Sequence, residues 1–411
     1  MMKVIRRRKF TKDVLQLGVG AVFLSGCKSN QLKTTNAASN SIDSIDLYLV
    51  NVTKKRNFSH STWHNRQHIF IAIRSNGITG WSETLANKND LNFDIVEWGA
   101  YLLGLNGKSI EEGLKITRSN AFSKKWNAKK SEPILMALYD IQGKIVNKPT
   151  IELWGLEGRD PVPGLFCILE KDVNLALVQA EIAKAQGLNN FIKVKMFGDV
   201  ELDLALTKAL RKSFGPDTFL MADANRGYKE WKSLEKLADL MKNLHNAGLD
   251  AMEDPAEMSK EQWIVLQAMV GEFSLIPDRP MRPAFKALDL FSPEMGHYFN
   301  IHPDTMSTFN EAVELGKKIK AHDRGLMIGD SSLIGPACTF WQQMAIGLGA
   351  SWVEAIEKPQ ESDVFEKCVV KRSTIIGKDG NSQITKLRPG FGIEMNEAKL
   401  KSMADNYAKL F

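Results

Sequence analysis

Seven charged residues punctuate the second half of the chain at intervals of 24 to 30 residues: Lys195, Asp223, Glu253, Asp278, Asp304, Asp330 and Glu354. Such an interval equals one strand, one helix and two short loops. Most of the seven close an apolar run: FIKVK, FLMAD, LDAMED, FSLIPD, YFNIHPD, LMIGD and WVEAIE. A charge at the end of each successive strand describes a (β/α)₈ barrel whose reactive rim is built from strand C-termini. Amphipathic periodicity places helices between them, most clearly at 201–214, 231–246, 260–270 and 309–321. The first barrel strand is expected at 162–168. The pattern reads as an enzyme.

At 411 residues the chain exceeds one barrel of roughly 250, so a second domain is expected. Residues 45–52, 67–74 and 78–83 read as three strands, the last two joined by an Asn76-Gly77 hairpin turn. Helical periodicity follows to about 146, and strands then helices make an α+β unit, not a barrel segment. Beyond Glu357 the pattern turns irregular, with a turn at 378–381 and a late strand at 389–394, expected to return to the N-terminal unit.

The formal charge of +6 is concentrated at the start, where Lys3, Arg6, Arg7, Arg8, Lys9 and Lys12 face only Asp13. The body is therefore close to neutral and offers no nucleic-acid or membrane surface. The order of features resembles an export signal. Arg7-Arg8-Lys9-Phe10 is similar to a twin-arginine motif, residues 14–23 are weakly apolar, and Leu24-Ser-Gly-Cys27 resembles a lipobox with Cys27 as the lipidated residue. The apolar stretch is too short to span a bilayer. Polar residues then read as a tether. This implies an exported periplasmic or cell-envelope lipoprotein that meets the membrane only through its anchor. Cys167, Cys338 and Cys368 are an odd number on distant elements, which argues against a disulfide framework.

Asp223, Glu253 and Asp278 end three consecutive predicted strands. Neighbouring strands lie about 4.8 Å apart, so three such carboxylates can converge on one hard cation, Mg²⁺ above all. The bland alternative is a set of strand-end carboxylates capping the helices that follow. Lys193 and Lys195 alternate with Ile192 and Val194, so both ammonium groups point into the barrel. Like charge and burial together are expected to bring one of their pKa values down toward neutrality, giving a general base. Balancing the carboxylates is the alternative role.

Lys193-Val-Lys195, Asp223-Ala-Asn225, Glu253-Asp-Pro255 and Asp278 together resemble the enolase superfamily, in its mandelate racemase and muconate-lactonizing branch. Gly77-Ile-Thr-Gly-Trp-Ser-Glu83, Ala137-Leu-Tyr-Asp140-Ile-Gln-Gly-Lys144 and Pro389-Gly-Phe-Gly-Ile-Glu394 agree with it. The resemblance implies an α/β fold: a modified TIM (β/α)7–8 barrel with an N-terminal α+β capping domain. The division expected is a signal peptide at 1–26, a tether at 27–42, the capping domain at 43–158, the barrel at 159–359 and a returning segment at 360–411. It implies Mg²⁺-assisted removal of the proton α to the carboxylate of a small acid, and a homo-oligomer. By its pattern Asp223, Glu253 and Asp278 hold the metal, Lys195 is the base, Lys193 is a carboxylate partner and Glu354 is an acid bonded to the enediolate.

The second face departs from the pattern. Asp304 stands at the sixth strand, where one type of relative has an aspartate, and is assigned there as catalytic with His302 beside it. The seventh strand gives Gly329-Asp330-Ser331 and no histidine, and Arg279-Pro280 replaces the usual Glu-Ser after the third metal ligand. Asn225, Asp330, Ser331 and, from the capping loop at 53–65, His60 and Trp63 are candidate substrate contacts; His64 and His68 read as loop and strand residues. With no histidine at the seventh strand to act as second base, dehydration of an acid sugar is the leading expectation. Racemisation or epimerisation of a hydroxy acid or dipeptide comes next. A lipid-anchored, non-catalytic protein binding acidic ligands is the reading outside enzymology.

Overall fold

The computed structural model describes residues 40–411 apart from 91, 230 and 232; the export signal, Cys27 and most of the tether lie outside the described residues. The N-terminal unit is built on a four-stranded antiparallel sheet of Ser44–Asn57, Thr62–Ser75 and Ile78–Lys88, with Asn406–Lys409 added beside the first. Asn76 and Gly77 both take positive φ, 49° and 77°, as a two-residue hairpin turn requires. Helix Ala128–Ile145 crosses the third strand so closely that a Cβ on Gly80 would stand 2.1 Å from the Ala137 carbonyl oxygen. Asp140 on that helix accepts the backbone N–H groups of Trp81 (3.0 Å) and Phe391 (2.7 Å) and pairs with Lys144 at 2.7 Å. This helix therefore fastens the sheet to the returning C-terminal segment.

Eight parallel strands follow, here barrel strands one to eight: Leu165–Ile168, Phe191–Lys195, Phe219–Asp223, Ala251–Glu253, Ser274–Ile276, Tyr298–Ile301, Gly325–Ile328 and Trp352–Val353. The first five form one hydrogen-bonded sheet and the last three another. A bridge between Gly164 and Val353 joins strand eight to strand one. Between strands five and six, Asn300 N–H donates to the Pro277 carbonyl at 3.1 Å. The barrel floor is filled by Leu165, Met221, Ala251, Ile276, Met327 and Trp352, the indole packed against Phe191, Phe219 and Tyr298. Apolar filling below leaves the strand C-termini as the polar end.

Three boundaries differ from the sequence reading, each for a local reason. Val162–Pro163 pairs antiparallel with Asn381–Ile384, so barrel strand one begins at Leu165. Pro163 has no N–H, and Gly164 gives its own to the Gly380 carbonyl at 2.8 Å. The late strand shrinks to Glu394–Met395, because Gly390 and Gly392 both adopt φ of 68° and break the extension. The helix expected from 231 starts at Leu234, capped by the Ser233 hydroxyl.

The seam between sheet and barrel is sealed by buried acids. Glu83 accepts the N–H groups of Ile334 (2.8 Å) and Gly335 (2.7 Å), just ahead of helix Pro336–Leu348, and touches the His68 ring at 3.0 Å. Glu132 accepts from the backbone of Asp304 (2.7 Å) and Ser307 (2.9 Å).

Candidate active site

Alternation along barrel strand two turns Lys193 and Lys195 to the same side, and both are buried. Lys193 Nζ lies 2.5 Å from Glu354 and 3.2 Å from Glu253. Lys195 Nζ is bonded to Asp223 Oδ2 and stands 5.4 Å from the centre of the Phe58 ring. Asp223 also accepts from Asn225, through its backbone N–H (2.7 Å) and its side-chain amide (3.0 Å). The loops that carry these residues are tied by buried Asp203, which accepts from Phe197 N–H (2.9 Å), Gly198 N–H (3.1 Å) and the Tyr228 hydroxyl (2.8 Å).

Asp223 and Glu253 are direct partners across strands three and four, and Asp278 follows strand five. Each carboxylate is turned to a donor of the chain itself. Glu253 accepts from Lys193 and from the Asn300 amide at 2.7 Å, and Asp278 is held by both nitrogens of an Arg282 fork, with Nε at 2.8 Å. As these side chains stand, no group of three or more His, Cys, Asp or Glu among the described residues is arranged to hold an ion. The donor chemistry nevertheless suits a hard divalent cation: three buried carboxylates from adjacent strand ends, all met by positive or amide groups. Such an ion would take Asp223, Glu253 and Asp278, in place of the chain's own cations.

The electrostatics correct one expectation. Burial works to lower the Lys193 pKa, but Glu253 and Glu354 outweigh it and hold the ammonium well above its ordinary value. Lys195 is likewise raised, burial being outweighed by Asp223. Neither lysine is brought toward neutrality, because the carboxylates outnumber the two ammonium groups. Glu253, chiefly through burial and then Asp223, is pushed up to about 7, whereas Asp223 is lowered: burial is overcome by Lys195 and Lys193.

The sixth strand holds the second correction. Asp304 does not face the barrel interior: its carboxylate accepts from the Thr84 hydroxyl and the Leu85 N–H, both at 3.3 Å, on the third strand of the N-terminal sheet. Strand six ends at Ile301, and Asp304 sits at φ 60°, so alternation no longer sets its direction. His302 does keep the inward register of Asn300 two residues earlier. Its Nδ1 lies 2.8 Å from the Pro303 carbonyl, and its Cδ2 borders Gly329, where a Cβ would stand 3.0 Å away. Burial first, then Arg282, holds the imidazole well below its ordinary pKa, with Lys193 and Lys195 adding to the effect.

Of the other candidates, Asp330 pairs with Lys358 at 3.0 Å and accepts from Leu333 N–H, and the Ser331 hydroxyl donates to the Pro303 carbonyl at 3.0 Å. A cavity of about 290 Å³ opens beside Glu354 and Asp330, walled also by Arg56, Cys167, Lys358 and Glu361. The loop expected at 53–65 is mostly strand, with a tip of four residues at 58–61. His60 from this tip stacks on Phe58 (5.9 Å), which also packs on Trp63 at 4.5 Å. The His60 pKa is lowered by burial, Lys88 and Lys195, while Asp223 opposes the shift, so this ring stands near the lysine. His68 is buried in the sheet, and His64 lies on its exposed margin. Asn300, Arg282, Phe58 and Arg56 were not singled out from sequence; only Asn300 carried a signal, two residues before His302 on one strand. Cys167, Cys338 and Cys368 are free.

Comparison with known proteins gives this arrangement its family. Residues 176–399 match the model described as "Enolase C-terminal domain-like", and residues 44–155 match the mandelate racemase / muconate lactonizing enzyme N-terminal domain. Muconate cycloisomerase 1 of Acinetobacter baylyi is 23% identical over 379 residues, covering 88% of this chain and 98% of that enzyme. Other curated relatives are named as epimerases, a racemase and a dehydratase. The muconate lactonizing enzyme structure from Pseudomonas fluorescens superimposes with TM-score 0.73 at 19% identity, covering 89% of this chain and all of that one. A dipeptide epimerase from Cytophaga hutchinsonii, complexed with Mg and dipeptide D-Ala-L-Val, gives 0.71 at 18% identity over 90% of this chain and all of that one. The chain belongs to the enolase superfamily, in the mandelate racemase and muconate-lactonizing branch, and is an enzyme of that group with its modified TIM barrel and capping domain. Members of the superfamily are Mg²⁺-dependent.

Proposed function

We propose that this enzyme moves the proton α to the carboxylate of a small acid, through an enediolate, and that racemisation or epimerisation is the outcome its geometry supports best. One observation carries the reading. Lys195 ends barrel strand two and His302 follows strand six, four strands apart in a ring of eight and so on opposite walls. Two groups across the axis address opposite faces of one carbon. Their resting states are complementary: Lys195 is an ammonium and His302 a neutral imidazole. In one direction His302 takes the α-proton and Lys195 delivers one to the other face; in reverse the roles exchange.

Asp223, Glu253 and Asp278 would hold Mg²⁺, which supplies Lewis-acid polarisation of the substrate carboxylate when bound. Lys193, fixed between Glu253 and Glu354, supplies positive charge where the enediolate oxygen develops. Phe58, His60 and Trp63 shield the mouth from water. Dehydration of an acid sugar is the second reading, favoured by the same pair acting on opposite sides of the Cα–Cβ bond and by similarity to an arabinonate dehydratase, 25% identical over 272 residues. The leader motifs and Cys27 support an exported, lipid-anchored protein.

The test is α-carbon exchange in D₂O with Mg²⁺, across panels of dipeptides, N-acyl amino acids and acid sugars. A substrate is expected to acquire deuterium. Lys195→Ala should lower exchange of one stereoisomer about 10²–10⁴-fold, and His302→Gln that of its mirror partner. Exchange that survives in both variants removes the pair from the mechanism. Loss of water from an acid sugar without deuterium in recovered substrate favours the dehydratase reading, and no exchange with any acid of the panels overturns racemisation or epimerisation of these substrates.

A further inference from the structure

Of the cations that meet the three candidate metal carboxylates, Lys193 and Lys195 come from strand two and Arg282 from a loop. The arginine lies four residues past Asp278, just after the short turn Arg279–Met281, and its fork engages both oxygens of that carboxylate. Few geometries bind a carboxylate more specifically than such a two-point pair. Besides Asp278, the guanidinium is drawn by Asp254, Glu253 and Asp223, against burial, the largest influence and one that lowers its pKa, and against Arg226. Asp254 is itself fixed by backbone, accepting from Asp278 N–H (3.1 Å) and Arg279 N–H (3.1 and 3.2 Å), so it keeps the acid field in place. An ion bound by Asp278 must claim oxygen lone pairs that Arg282 now uses.

From these contacts we infer that Arg282 is a resident competitor of the divalent metal: it occupies the Asp278 carboxylate, sets the affinity of the site and must release Asp278 when the ion enters. The inference rests on the metal assignment made for Asp223, Glu253 and Asp278. The chain keeps its acids neutralised without an ion, at the expense of tight metal binding. Asp223 and Glu253 meet lysines that present one nitrogen each, whereas Asp278 meets a planar fork. Release of Asp278 is therefore the step that should dominate the affinity.

The test is Mn²⁺ titration of the full chain without substrate, with free ion read by electron paramagnetic resonance. Wild type, Arg282→Gln, Arg282→Lys and Asp278→Asn are compared, each checked for cooperative thermal unfolding. Arg282→Gln should bind Mn²⁺ on the order of tenfold tighter, a difference of about 1.4 kcal/mol. Arg282→Lys should fall between, because an ammonium cannot engage both oxygens, and Asp278→Asn should bind more weakly than wild type. If Arg282→Gln fails to fold, Arg282→Lys decides by the same comparison. Equal or weaker binding in the arginine variants overturns the competitor role while leaving the metal site intact. Absence of Mn²⁺ binding in wild type and Arg282→Gln alike overturns the metal assignment, and the inference with it.

Discussion

Two sets of buried carboxylates lie within this fold, and they are satisfied in different ways. At the seam, Glu83 and Glu132 accept backbone N–H groups from Ile334, Gly335, Asp304 and Ser307. At the barrel mouth, Asp223, Glu253, Asp278 and Glu354 are met mainly by the side chains of Lys195, Lys193 and Arg282. A backbone amide belongs to a rigid element and cannot be exchanged. A side-chain cation can rotate aside for an ion or a substrate. Burial therefore has opposite meanings in the two places: it locks the joint between domains, and it stores exchangeable charge at the mouth.

Breaking the mouth should have the larger effect on stability, and one that an ion can mend. Lys193→Met leaves Glu253 and Glu354 buried without their shared cation, a loss of about 3–5 kcal/mol. Thermal unfolding in EDTA should show it, and Mg²⁺ should restore part of it; no restoration would mean these acids are structural. Glu83→Ala sharpens the contrast. It strands two backbone donors at the start of helix Pro336–Leu348, costing about 1–3 kcal/mol, and Mg²⁺ should change nothing. Equal rescue of both variants by Mg²⁺ would erase the distinction between the two regions.

The same division governs what could be read from sequence. The mouth was legible where strand periodicity reached: Lys193, Lys195, Asp223 and Glu253 all lie within strands, where alternation fixes direction. Asp278 stood in the right period, but its partner Arg282 follows an irregular turn that carries no repeat. Asp304 shared the period and still faced the other way, since strand six had ended three residues before it. His302, closer to that end, kept its register, and the glycine that borders it at 329 gives it room. The lysine pKa values do not follow from sequence, because spacing reveals like charges on one strand, but not how many carboxylates from other strands surround them. Seam contacts such as Glu132 with Asp304 join residues 172 apart, and no local pattern encodes them.

The smallest effect probes the seam through pH. Burial, with Glu83 adding to it, pushes the Asp304 carboxyl up to about 7; Lys129 and the donors from Leu85 and Thr84 oppose the shift. Glu132 beside it is raised well above its ordinary value, by burial and then by Asp304. An acid whose pKa is higher in the folded chain than in the unfolded one favours folding while it holds its proton. That contribution is complete below the ordinary value of 3.8 and is lost as pH rises through about 7. Asp304→Asn remains neutral, and its amide oxygen can still accept from Leu85 N–H. Between pH 4 and pH 7.5 the variant should lose less stability than wild type, by on the order of 1 kcal/mol or more. Chemical denaturation at both pH values in EDTA keeps Mg²⁺ at the mouth from contributing, while Glu253, also near 7, titrates equally in both proteins. Parallel profiles for variant and wild type would mean that Asp304 keeps its charge at the seam, and that the joint is held by an ionised carboxylate, not by a protonated one.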